Sequence, residues 1–175
     1  MKHLNILAND GTLAGLIASL LFVVLGMAGV NPFDGATLGI AVIPVVFIVA
    51  GTKKIREEEN QVLTFGTAFR SGLFIAFFYA SLYAILVYLY LNFFGGNLVE
   101  ETKNTTIDRL ELVEGKMPVS LYNKAIESAE NISAGALALS RYWNNLIWGV
   151  LISLTTSFIF RKNPDPFSSS ENQQS

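Results

Sequence analysis

The sequence predicts an all-α integral membrane protein: four transmembrane helices in an antiparallel bundle, plus a short amphipathic helix in the loop between spans 3 and 4. Three observations predict it. Hydrophobic residues make up 51% of the 175-residue chain and charged ones 15%, where a soluble domain carries roughly a quarter charged. Almost every charge lies in residues 53–70, 100–141 or 161–171, which leaves long uncharged blocks between them. Turn-forming clusters, Asn-Pro-Phe-Asp-Gly at 31–35 and Asn-Pro-Asp-Pro at 163–166, punctuate those blocks.

The first span is 11–30, GTLAGLIASLLFVVLGMAGV. At 1.5 Å per residue it makes about 30 Å of helix, the thickness of the hydrocarbon core. A signal peptide would have a shorter apolar region, and here a second apolar stretch follows almost at once. The 31–35 turn sets span two, 36–51, antiparallel to span one. This is the shortest span. Pro44 near its middle cannot donate to the Ile40 carbonyl, so a kink is expected. A charged loop, TKKIREEENQ at 52–61, comes next.

Span three, 71–94, lies within the apolar stretch 64–94, and Arg70 at its start can snorkel to headgroups. Residues 95–142 read as an extracytoplasmic polar loop. Within it Ser120–Glu130 sets Leu121, Tyr122, Ala125, Ile126 and Ala129 on one helical face. Span four is 143–160, and 163–175 reads as a disordered cytoplasmic tail. Residues 1–162 thus form a single transmembrane domain.

Basic residues near span ends set topology, and acids count for little. Lys2, Lys53, Lys54, Arg56, Arg70, Arg161 and Lys162 fall on one side. The opposite side has none at 31–35, and in 95–142 its cations are spread among seven acids. Both termini are therefore expected in the cytosol of a bacterium, with the chain multi-pass in its cytoplasmic (inner) membrane. Trp143, Trp148, Tyr88, Tyr90, Phe93 and Phe94 fall toward the outer ends of spans four and three, as in an aromatic belt.

The composition excludes much chemistry. Without cysteine there is no thiolate, disulfide or iron–sulfur site, and the single histidine, His3, cannot build a histidine metal cluster. A net charge of −2 leaves no basic patch for nucleic acid. No catalytic, cofactor-binding or metal residue is assigned and no cofactor is expected. The expected partners are the lipid bilayer and either a second copy or an unidentified membrane protein. None of the four apolar cores contains Asp, Glu, His or Lys, which disfavours a proton or ion pump.

Several features remain. Gly11/Gly15 and Gly35/Gly39 are GxxxG pairs, which permit close helix packing or a homodimer contact. Gly72, Ala76, Tyr79, Tyr83, Leu86 and Tyr90 share one helical face, either a bundle-facing stripe with tyrosines bonding across helices or a polar groove. Ser153, Thr155, Thr156 and Ser157 bring hydroxyls into span four, to bond back to their own helix or across. Asp108, Glu111 and Glu114 recur at helical spacing, as a solvated face or a cation site. Asn104 and Asn131 each open a sequon.

The segment leading into span three, LTFGTAFRSGLFIAFFYASLYAILVYLYLNFF, resembles the domain of unknown function 4199 family. That family pairs an Ile/Leu-Ser/Thr-Phe-Gly-x-Ala-Phe-Lys/Arg-x-Gly motif with a long tyrosine-rich span. Thr64, Phe65, Gly66, Ala68, Phe69, Arg70 and Gly72 match it, and the order of elements fits over nearly the whole chain. The resemblance implies a small four-span membrane protein of Bacteroidetes-type bacteria and implies no activity. The function expected is a non-enzymatic structural or accessory membrane component. Two alternatives stand beside it. One is a small oligomeric channel or permease for an uncharged or weakly polar solute, built around Tyr79, Tyr83 and Ser153. The other is a membrane enzyme using the loop carboxylates or Arg141 at the outer interface.

Overall fold

Caps and turns, as much as apolar periodicity, fix where the helices begin and end. The computed structural model describes residues 3–33, 38–59 and 62–161. Six helices lie among them: α1 (Leu4–Met27), α2 (Leu38–Glu58), α3 (Phe65–Phe93), α4 (Gly96–Glu111), α5 (Val119–Glu130) and α6 (Ala134–Phe160). Gly29, with φ at +75°, closes α1 from the left-handed region while the Val30 N–H donates to the Leu25 carbonyl at 3.0 Å. The Thr64 hydroxyl accepts from the Thr67 N–H at 3.3 Å to cap α3, and Ser133 does the same for α6 with the Ala136 N–H at 3.2 Å.

Three of these helices, α1, α3 and α6, are long and apolar enough to cross a membrane. Four were expected. The missing one is α2, whose described apolar stretch runs only to Thr52 before the helix continues into Lys53–Glu58. Nothing in Thr-Lys-Lys-Ile-Arg-Glu-Glu breaks a helix, so most of the expected charged loop at 52–61 is instead the last turns of α2. The helix also continues through Pro44. Residues 36 and 37 of the expected span, Gly35 of the second GxxxG pair, and the 163–175 tail lie outside the described residues.

The other boundaries shift for similar reasons. Leu4, Ile6 and Leu7 extend α1 upstream of Gly11, and the Ser133 cap starts α6 well before Trp143. The polar region holds two helices rather than one. α5 falls where the amphipathic pattern placed it, but α4 was not expected, because Thr102, Thr105, Thr106 and Ile107 are weak helix formers.

α3 is the hub. α6 packs along it most extensively and α1 next, while α2 lies against α1, α3 and, to a lesser degree, α6; α4 and α5 pack on each other beyond the bundle. Small residues set the spacing. A Cβ added at Gly11 would sit 2.7 Å from both the Ile75 carbonyl oxygen and Phe78 Cβ, and one at Gly15 would sit 3.1 Å from the Tyr79 carbonyl oxygen. The first GxxxG pair is therefore the α1–α3 contact. Gly39 is different: among the described residues only Leu21 Cδ2 comes within reach, at 3.8 Å. Across α3 and α6, an added Cβ at Gly72 would meet Ser153 Oγ at 2.5 Å, and one at Gly149 would run into Ala76 Cβ.

Candidate functional site

Two clusters of polar side chains stand at opposite ends of the bundle. At one end, α1 and α3 begin while α2 and α6 finish. Phe65 of α3 packs on Phe158 of α6, with ring centroids 5.0 Å apart. Here Lys54 Nζ donates to Asp10 Oδ1 at 2.8 Å and Oδ2 at 2.9 Å. Asp10 is only 4% exposed. It directly precedes the expected span 11–30, and because α1 starts at Leu4 it lies within the helix with its side chain inside the bundle. His3 lies between Glu58 and Glu59, its Nδ1 2.6 Å from one and its Nε2 2.7 Å from the other. Donating to both requires a proton on each nitrogen. The basic–acidic run at 53–59 thus ties α2 to the start of α1.

At the other end, the chain leaving α1 turns tightly, with Asn31 and Pro32 buried. The Phe33 N–H donates to Asn31 Oδ1 at 2.9 Å, an Asx turn. That turn presents the Pro32 carbonyl and the Phe33 ring to α6. Arg141 Nη2 donates to the Pro32 oxygen at 3.3 Å, and its guanidinium carbon lies 4.8 Å from the Phe33 ring centroid. Among the described residues no carboxylate lies within ion-pair distance of Arg141.

Beside Arg141 a cavity of about 420 Å³ opens between α2 and α6, with α3 behind it. Ile40, Ala41, Pro44 and Val45 form one wall, Trp148 and Ile152 the other, and Tyr83, Arg141, Asn144 and Asn145 supply its polar groups. Asn145 Nδ2 is buried and has no hydrogen-bond partner among the described residues. The size falls within the range typical of ligand pockets, as does the mix of apolar walls with a few convergent polar groups.

The tyrosine stripe divides at this cavity. Tyr79 and Tyr83 are buried and stack at 5.7 Å, and Phe22 of α1 meets Tyr83 and Tyr90 edge-on at 6.1 and 6.0 Å. The expected tyrosine hydrogen bonds across helices do not form at Tyr79, whose hydroxyl is buried without a partner among the described residues. Aromatic packing replaces them. In α6, Ser153 Oγ donates to the Gly149 carbonyl and Ser157 Oγ to that of Ser153, so those hydroxyls bond back to their own helix.

Asp108 and Glu111 are exposed on α4 and Glu114 lies in the turn beyond it. Among the described residues no three His, Asp or Glu side chains are placed to hold a metal ion. Asn104 is exposed on α4, while Asn131 Nδ2 donates to the Glu127 carbonyl at 2.8 Å and Ser133 caps α6. Helix capping therefore accounts for both ends of the second sequon.

A model of the family described as protein of unknown function (DUF4199) matches residues 9–162. The chain belongs to the DUF4199 family. Within this DUF4199 protein the matched region holds Asp10, Lys54, Arg141 and every residue lining the cavity. No curated protein and no solved structure matches the chain.

Proposed function

We propose that this DUF4199 protein is a four-span, non-enzymatic structural or accessory component of a bacterial cytoplasmic membrane. The single observation that carries this is how the bundle interior is used. At Gly11, Gly15, Gly72 and Gly149 helix meets helix with no room for a side chain, so the core serves contact between spans. What such a protein offers to others is its outside. α4 and α5 project beyond the bundle and expose Leu112, Val119 and Leu121, apolar groups suited to a partner's surface.

In this reading α2 is the fourth span, crossing with the apolar run from Leu38 to Thr52. The ends carrying Lys53, Lys54, Arg56, Arg70 and Arg161 face the cytosol, which is the side basic residues favour. Against a channel stands the packing of Tyr79 on Tyr83, which occupies the face that would have to line the path. Crosslinking in native membranes followed by pull-down of the full chain tests the proposal. A reproducible partner captured through α4–α5 is expected; a lone, uncrosslinked monomer would remove its basis.

A further inference from the structure

Resting on the bilayer-embedded reading, we propose that the cleft between α2 and α6 holds a phospholipid of the leaflet nearest α4 and α5. Its phosphodiester would lie on Arg141 and its acyl chain along Ile40, Val45 and Ile152.

The position along the helix comes first. From Arg141 to Phe160 α6 rises about 28 Å, close to the roughly 30 Å of the hydrocarbon core. With Phe160 at one boundary, Arg141 stands at the headgroups of the other. The cleft descends from Arg141 to Ile152, about 16 Å into the acyl region. Val45 and Trp148, on its walls, are 39% and 58% exposed, so the cleft is open toward surrounding lipid.

The chemistry follows. Arg141 uses one donor on the Pro32 carbonyl and presses one face on Phe33, which orients the guanidinium, and among the described residues no other acceptor holds it. A guanidinium fork matches two oxygens of a phosphate, and no carboxylate among the described residues competes for it. Asn144 and Asn145 line the same cavity beside it. Free phosphate would satisfy these groups but leave the apolar walls below to water. A lipid satisfies both halves.

Trp148 lines the cleft and serves as the reporter. The chain has two tryptophans, so Trp143→Phe leaves Trp148 alone. The full chain in detergent micelles is titrated with brominated phosphatidylglycerol, whose bromines quench a tryptophan they touch. Saturable quenching is expected, with at least a ten-fold weaker midpoint in Arg141→Gln. Brominated diacylglycerol, which lacks the phosphate, should not saturate, and inorganic phosphate should not displace the lipid. Ala41→Phe, which fills the cleft from α2, should abolish saturation with helicity unchanged by circular dichroism, and decides the matter if Arg141→Gln does not fold. Unsaturable quenching, equal midpoints with and without Arg141, or displacement by inorganic phosphate would each overturn the proposal. The bilayer reading fails separately, if the chain stays in solution without detergent.

Discussion

Lys54 donates to both carboxylate oxygens of Asp10, at 2.8 and 2.9 Å, joining the end of α2 to the start of α1. Asp10 is buried while the Lys54 side chain is 53% exposed, so the carboxylate depends on a cation that itself remains half in solvent. Removing one partner of a buried pair costs more than replacing both with apolar groups. Lys54→Met should therefore destabilise the bundle by about 1–3 kcal/mol, below the usual cost of breaking a fully buried pair because the lysine is half exposed. The double variant Asp10→Leu/Lys54→Met should recover most of that loss. Denaturant unfolding in micelles measures both, and a double variant weaker than the single one would contradict this account.

The two GxxxG pairs should respond in opposite ways. Gly15→Val places a branched side chain against the Tyr79 backbone and Leu82, and overpacking of this kind costs about 1–3 kcal/mol. Among the described residues Gly39→Ala meets only Leu21, at 3.8 Å, and should be neutral, or stabilising by up to about 1 kcal/mol through helix propensity. Thermal unfolding of the two variants side by side distinguishes them. Equal losses at both positions would mean that Gly39 also packs against something.

Tyr79 buries a hydroxyl that has no partner among the described residues. An unsatisfied buried donor is a cost, so deleting it should be harmless. Tyr79→Phe is expected to leave stability unchanged or raise it by about 1 kcal/mol. A loss of that size instead would reveal a polar connection through this part of the core, and with it support for a solute path.

The proposed orientation puts the turn between α4 and α5 outside the cytosol. A periplasm-dependent phosphatase fused at residue 115 should be active, and the same enzyme fused after Arg161 inactive. The reverse pattern would invert the bundle and transfer the Arg141 cleft to the cytosolic leaflet.

What the residues disclosed beforehand was chiefly local. Uncharged blocks and the Gly11/Gly15 spacing carry their meaning within a few turns of chain; α1 and α3 follow from the first and a close-packing helix face from the second, though not that its partner is α3. Helix ends were less legible. Thr52–Glu58 is hydrophilic yet continues α2, because polarity marks exposure and not the end of a helix. The burial of Asp10 was not legible at all: its setting depends on where α1 starts and on Lys54, a residue far along the chain. The Arg141 cleft was the least visible. It combines Pro32 and Phe33 from one turn, Pro44 from α2, Tyr83 from α3 and Asn145 from α6, and no periodicity links such residues.

The contact between Gly149 and Ala76 has a consequence on the far side of α6. By drawing α6 tight against α3, it leaves that helix only lightly supported by α2, and the cleft occupies the slack. The two flanks of α6 behave like the arms of a balance. Bulk added at Gly149 would tip the helix toward α2 and squeeze the space beneath Arg141, though the two sites share no atom. Position 149 is thus a gauge for the opening of a crevice lined by its chain neighbour Trp148, on the opposite flank of the same helix.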